Sequence, residues 1–228
     1  MPPFDNSTFA YPVPEPILTA FDDVWTGLGQ PGDWWSGAER IAIAGVARRA
    51  ESRSHGEQIP TLAELDSTPN PVISPLATEI AHRVTAEPGR ITPEWGHEAV
   101  RLLGPGRYAE LVAVIVLLVP VDRMCTLLGR PLEELPTPED GVPSERIPSG
   151  LGDGGAFVPW AVDGWVGPNV ARALSYVPGD NRRRMELVSA MYADSDEFVS
   201  LMWDHRSLSR PQVELLAART SSLNECFY

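Results

Sequence analysis

Glu214 and Cys226, near the end of the 228-residue sequence, have the side chains of a redox or proton-transfer site. A thiol becomes a nucleophile when it loses its proton, and a neighbouring carboxylate can accept that proton. An α-helix turns by about 100° per residue, so the twelve-residue spacing leaves the two side chains about 120° apart around the axis. An unbroken helix therefore keeps them on different faces, and a turn near residues 221–224 is needed to bring them together.

The stretch RPQVELLAARTSSLNECFY, residues 210–228, resembles the active-site helix of the alkyl hydroperoxidase D / carboxymuconolactone decarboxylase-like superfamily. Peroxidase members of that superfamily have a Glu, a Cys-x-x-Cys that begins twelve residues later, and a His four residues beyond. Glu214, the Ala-rich turn, the Ser-x-x-Asn approach and Cys226 match this pattern. The sequence departs from it after Tyr228, because it ends before the second cysteine and the histidine.

The resemblance implies a peroxidase-related oxidoreductase that reduces hydroperoxides with an external thiol reductant and no cofactor. The second cysteine of the family motif is understood to attack the peroxide. By that resemblance, Cys226 is the resolving residue and Glu214 is the base of a proton relay. His205 is a candidate for the same relay, with a surface histidine as the alternative. Lactone decarboxylation is disfavoured, because the match is to the Glu…Cys peroxidase motif.

The attacking group of the family motif corresponds to position 229, where the sequence stops. One hypothesis is a UGA codon that encodes selenocysteine, since a selenol ionises at neutral pH and is a stronger nucleophile than a thiol. An early stop in a non-catalytic relative and a shortened sequence are the alternatives. Sequencing the coding DNA past codon 228 distinguishes them, and UGA followed in frame by a histidine near 233 supports the selenoprotein. If the protein is a peroxidase, the 228-residue form is expected to be inactive, because one thiol cannot complete an internal dithiol cycle.

Two segments of the sequence suggest an internal duplication. WWSGAERIAIAGVARRAES and LSRPQVELLAARTSSLNEC share a small polar cap, an acid and an apolar face. Aligning Glu39 with Glu214 places Glu51 opposite Cys226, as in a first copy that has lost its thiols. This alignment predicts a first repeat at 1–129, a Pro/Gly-rich linker at 130–163 and a second repeat at 164–228 that carries the Glu…Cys motif. The resemblance implies that the repeats pack as a pseudo-symmetric unit in a homo-oligomer.

Helical spacing dominates the sequence, and it predicts an all-α protein. Ser or Thr followed by Pro marks the beginnings of the helices expected at 74–86 and 92–104. The run at 107–129 is almost wholly apolar, so we expect it to be the central buried helix. Further helices are predicted at these positions: 16–28, 38–51, 167–177, 180–194, 196–205 and 209–228.

Charge and cysteine content limit the classes of function. The net charge of −13 argues against a nucleic-acid or anionic-membrane partner, because both require a cationic surface. Two cysteines and an N-terminus without signal-peptide character indicate a protein of the reducing cytoplasm. His55, His82 and His97 lack metal-ligand spacing with each other or with either cysteine, so no metal is expected.

A non-catalytic helical scaffold or interaction protein is the alternative function. In that case Cys226 is a small buried residue, as Cys125 on the apolar 107–129 helix is also expected to be. The two functions predict different reactivity of Cys226 toward thiol probes, because a catalytic thiol reacts faster than a model thiol and a structural thiol reacts slowly.

Overall fold

The computed structural model describes residues 3–51, 72–162, 167–192, 197, 199–200, 202–203 and 206–224. Over these residues the protein is predominantly helical, which confirms the all-α class. Short 3-10 helices cover Asn6–Thr8 and Pro88–Arg90. The α-helices are α1 Glu15–Gly29, α2 Gly37–Glu51, α3 Pro75–Ala86, α4 Pro93–Leu103, α5 Pro105–Leu127, α6 Asn169–Arg172, α7 Pro178–Met191 and α8 Arg210–Leu223. Strands β1 Leu151–Gly152 and β2 Trp160–Ala161 form one antiparallel ladder.

Side-chain caps fix the beginnings of several helices where the sequence predicts them. The hydroxyl oxygens of Ser74 and Thr92 accept hydrogen bonds from backbone N–H groups in the first turns of α3 and α4, and a proline follows each cap. At α2, the Glu39 carboxylate accepts a hydrogen bond from the backbone N–H of Ser36, while the Ser36 hydroxyl accepts one from the N–H of Glu39. These reciprocal bonds satisfy N–H groups that have no partner within the helix.

Helix α5 is the central element of the core, as its apolar sequence predicts. The side chains of Leu111, Leu117 and Val121 are fully buried, and α5 packs against α1, α2, α3, α4 and α7. Gly104 separates α4 from α5 with φ of +89°, a backbone conformation that glycine adopts without steric strain. The helix continues through Pro120 to Leu127.

The connecting segment, residues 130–150, is ordered along the core although its composition suggests a linker. The backbone N–H of Glu139 donates to the Gly29 carbonyl at 2.8 Å, and the Trp25 indole N–H donates to the Glu134 carbonyl at 2.9 Å. Further along, the N–H of Glu145 donates to the Asp33 carbonyl at 2.7 Å. These bonds attach the segment to the end of α1 and the turn that follows it.

Helix α7 belongs to the same core as the first 129 residues. Leu187 of α7 is buried in the cluster that α1 and α5 also line, as are Leu174 and Val177 just before the helix. The predicted division into 1–129, 130–163 and 164–228 is not tested by this packing alone and stays a prediction. The pseudo-symmetric pairing of two repeats is not confirmed.

The two segments aligned as repeats differ in their surroundings and in their caps. Helix α2 buries seven of its residues, whereas α8 buries none. Glu39 caps α2 from its third position, but in α8 that position is Gln212, whose side-chain oxygen accepts from the N–H of Ser209 at 2.8 Å. Glu214 is therefore two residues further into its helix than Glu39.

Among the described residues, no helix combines the length and apolar character that crossing a membrane requires. The predicted cytoplasmic location and the absence of a nucleic-acid partner stay predictions.

Candidate functional site

Of the predicted site residues, the structure describes only Glu214. Cys226 and His205 lie outside the described residues. Glu214 is exposed on the second turn of α8, and its Oε1 accepts a hydrogen bond from Arg210 Nε at 2.6 Å. Exposure keeps this carboxylate available to solvent and to a reacting group, which a relay base requires.

The length of α8 restricts what Glu214 can reach. The helix is continuous from Arg210 to Leu223, so a turn toward Cys226 begins no earlier than Asn224. At 1.5 Å rise per residue, Glu214 and Leu223 are separated by about 14 Å along the axis. Within the described part of the chain, the Glu214 carboxylate therefore lies far from the C-terminal end of α8.

Helix α8 has no buried residue, and all three of its leucines are exposed. Leu215, Leu216 and Leu223 have exposed fractions of 69%, 56% and 56%. Leu216 and Leu223 are seven residues apart and share one face, whereas Leu215 is displaced by about 100° around the axis. The apolar side chains of α8 thus occupy more than one face.

Cys125 is the only cysteine in the described residues, and it is a structural thiol. Its side chain is fully buried in α5, and burial raises the pKa of the thiol. Arg130 Nη1 lies 3.7 Å from the sulfur, in a contact that belongs to the packing of the N-terminal segment. The thiolate form is the nucleophile, so a buried thiol with a raised pKa is a poor one.

We expect Cys125 to resist thiol reagents in the folded protein. With 5,5′-dithiobis(2-nitrobenzoate) at pH 7.5, the Cys226→Ser variant should release less than a tenth of one equivalent of chromophore in the time in which glutathione reacts fully. In denaturant the same variant should release one full equivalent. Rapid native reaction of this variant would show that Cys125 is accessible.

A buried cluster of charged residues lies where α2, α5 and α7 meet. The exposed fractions are 1% for Arg40, 0% for Glu110 and 7% for Asp180. Arg40 Nη1 donates to Glu110 Oε1 at 2.6 Å and to Asp180 Oδ2 at 2.8 Å. Its Nη2 donates to Asp180 Oδ1 at 3.0 Å and to the Gly27 carbonyl at 3.3 Å. One guanidinium thus joins two carboxylates from different helices.

The turn before α2 completes this cluster. The backbone N–H of Trp34 donates to Glu110 Oε2 at 2.5 Å, so both carboxylate oxygens of Glu110 accept hydrogen bonds. A Cβ at Gly32 would lie 1.7 Å from Glu110 Oε1, so a larger residue there would displace the carboxylate. Burial raises the pKa of Glu110 to about 7, against the lowering effect of Arg40.

This cluster was not predicted from the sequence, although the sequence contains a signal for it. Glu110 is a charged residue near the beginning of an almost wholly apolar run. Arg40 directly follows the capping residue Glu39 in a helix with an apolar face. A charged residue on a core-facing position requires a buried partner of opposite charge. The sequence alone does not show that the second carboxylate, Asp180, comes from 140 residues further along the chain.

A second ion-pair network joins the C-terminal half of α2 to α5. Arg48 Nε and Nη2 each donate to one carboxylate oxygen of the buried Asp122 at 2.7 Å. The Arg48 guanidinium also lies 5.4 Å from the centre of the Trp25 ring. Arg123, the next residue of α5, donates from its Nε to Oε1 of Glu51 at 2.9 Å, one turn after Arg48 in α2. The two-pronged bond between Arg48 and Asp122 fixes the register of the two helices.

Comparison with known proteins adds no relative to these observations. A scan against protein-family models finds no match to the chain, and searches of curated proteins and of solved structures find none either. Within the residues that the structure describes, no three His, Cys, Asp or Glu side chains are grouped to hold a metal ion.

Proposed function

We propose that this protein is a peroxidase-related oxidoreductase whose redox-active thiol is Cys226. The observation that carries the proposal is the Glu214…Cys226 spacing within a stretch that resembles a peroxidase motif, on a helix whose acid is exposed to solvent. The burial of Cys125 supports it, because that leaves Cys226 as the thiol for redox chemistry. The substrate class is a hydroperoxide and the electron donor is an external thiol.

The proposed reaction transfers one oxygen atom from the hydroperoxide to a chalcogen. A thiolate or selenolate attacks the peroxide, the O–O bond breaks, and the chalcogen becomes a sulfenic or selenenic acid. The alkoxide that leaves takes up the proton that the chalcogen had lost, and departs as an alcohol. The Cys226 thiolate attacks that acid, forming an S–S or S–Se bond and releasing water. Two external thiols then reduce this bond and are themselves oxidised to a disulfide. By the resemblance, the attacking chalcogen belongs three residues after Cys226.

The position of Glu214 constrains how it can serve this reaction. Because about 14 Å of helix separates Glu214 from Leu223, the carboxylate reaches its own Cys226 only when the following residues fold back along α8. The alternative is a carboxylate supplied by α8 of a second copy, in the homo-oligomer that the resemblance implies.

The alkylation rate of Cys226 tests this proposal. In the Cys125→Ala background at pH 7, we expect iodoacetamide to modify Cys226 at least about tenfold faster than it modifies glutathione. Glu214→Gln should reduce this rate severalfold by removing the base. Glu186→Gln, which removes an exposed acid from α7, is the matched control and should leave the rate unchanged. A rate equal to that of glutathione and insensitive to Glu214→Gln would contradict the proposal.

A non-catalytic interaction protein is the second candidate function, and the exposed leucines of α8 favour it. A helix that exposes Leu215, Leu216 and Leu223 presents the kind of surface that another protein covers. This function predicts a slow, structural Cys226. It also predicts that Leu216→Glu abolishes partner binding without changing the alkylation rate.

A further inference from the structure

We propose that Glu110 is a proton-operated lock on helix α7. When Glu110 is protonated, α7 is held firmly against α1, α2 and α5, and when Glu110 is ionised, α7 opens more readily. This inference is independent of the proposed peroxidase function.

The geometry of the cluster gives the reason. When Glu110 is ionised, two carboxylates share the single buried guanidinium of Arg40, and both accept from the same Nη1. Arg183 Nη1 assists Asp180 at 3.2 Å, but Arg183 is partly exposed and also bonds Asp23. The buried region therefore has an excess of negative charge, which is costly where water is absent. Protonation of Glu110 removes that excess, and Asp180 is then the only ionised carboxylate that bonds the Arg40 guanidinium.

Helix α7 is the element on which this change acts. Asp180 is in the first turn of α7 and connects that turn to α2 through Arg40. Glu110 is in the second turn of α5, and the buried Leu111 and Leu117 anchor that helix in the core. Repulsion between the two carboxylates is thus relieved more easily by displacement of α7 than by displacement of α5.

The groups around Glu110 are Arg40 from α2, Asp180 from α7 and the Trp34 N–H from the turn before α2. Arg183 of α7 bonds Asp180 and Asp23 of α1. Arg107, one turn earlier on α5, is exposed and lies against the Trp35 ring. Burial raises the pKa of Glu110 to about 7, against 4.5 for an ordinary glutamate. The folded protein therefore binds a proton between these values that the opened form releases, so opening becomes more favourable as pH rises from about 5 to about 7.

Hydrogen exchange of the full chain, followed by mass spectrometry between pH 5 and 8.5, tests the lock. After correction for the intrinsic exchange rate, opening of α7 should increase up to about tenfold per pH unit between pH 5 and 7. It should then level off above about pH 7.5, while the α3 peptides show no such step. Constant protection of α7 across this range in the wild-type protein would overturn the proposal.

Three variants distinguish a proton lock from a merely structural cluster. Glu110→Gln should abolish the pH step, whatever its effect on overall stability. Asp180→Asn should move the step to lower pH, because Arg40 then serves Glu110 alone. Asp122→Asn, which neutralises a buried acid paired with a different arginine, should leave the step in place. If Glu110→Gln folds and retains the wild-type step, or if Asp180→Asn leaves its position unchanged, Glu110 is not the lock.

Discussion

Replacing Arg40 by methionine is expected to lower the free energy of unfolding by about 3–5 kcal/mol, the effect of leaving buried carboxylates without their counter-charge. The Glu110 and Asp180 carboxylates both depend on this guanidinium, and neither is exposed enough for water to replace it. For a chain of this size the change corresponds to a fall in melting temperature of about 10 °C. Thermal and urea denaturation measure it.

Two further variants show whether the loss comes from the unpaired charges. Arg182→Met removes an exposed arginine from α7 and should change the free energy of unfolding by less than about 0.5 kcal/mol. Combining Arg40→Met with Glu110→Leu and Asp180→Leu should recover at least half of the lost stability, because no buried charge is then left unpaired. A loss below about 1 kcal/mol in Arg40→Met alone would contradict the prediction.

The second large effect is expected for Arg130→Met, which should lower the free energy of unfolding by about 2–4 kcal/mol. Arg130 is buried and holds the N-terminal segment on the core. Its guanidinium lies 4.9 Å from the centre of the Phe4 ring and 5.3 Å from that of Phe9. It also donates to the Pro3 carbonyl at 2.9 Å and pairs with Glu133.

Loss of these contacts should release the N-terminal segment before the rest of the protein unfolds. We therefore expect chymotrypsin to cleave Arg130→Met after Phe9 under conditions in which the wild-type protein is intact. Arg107→Met is the matched control, because Arg107 also stacks on an aromatic ring, at 5.0 Å from Trp35, but is exposed. It should change the free energy of unfolding by less than about 1 kcal/mol. Equal effects of the two substitutions would show that burial of Arg130 does not matter.

The sequence determined the beginnings of seven helices, α1–α5, α7 and α8, to within two residues. The helix predicted at 167–177 was wrong in length, because it covers only Asn169–Arg172, and the one predicted at 196–205 lies mostly outside the described residues. Capping by Ser74 and Thr92, and the apolar run from Leu111 to Val121, act over a few turns of chain. Such local interactions are encoded in neighbouring residues, so the pattern of residue types predicts them. Glu214 was also found from the sequence, but its role rests on a resemblance rather than on contacts.

Only the tertiary structure decided which distant groups meet. It ordered residues 130–150 through backbone bonds to the turn after α1, bonds that composition cannot reveal because every residue type has the same backbone donors. It brought Asp180 to Arg40 and Glu110 across 140 and 70 residues of sequence. Those contacts depend on how α2, α5 and α7 pack in three dimensions. The sequence shows charged residues on apolar helices and so predicts that they need partners, but the packing chooses the partners.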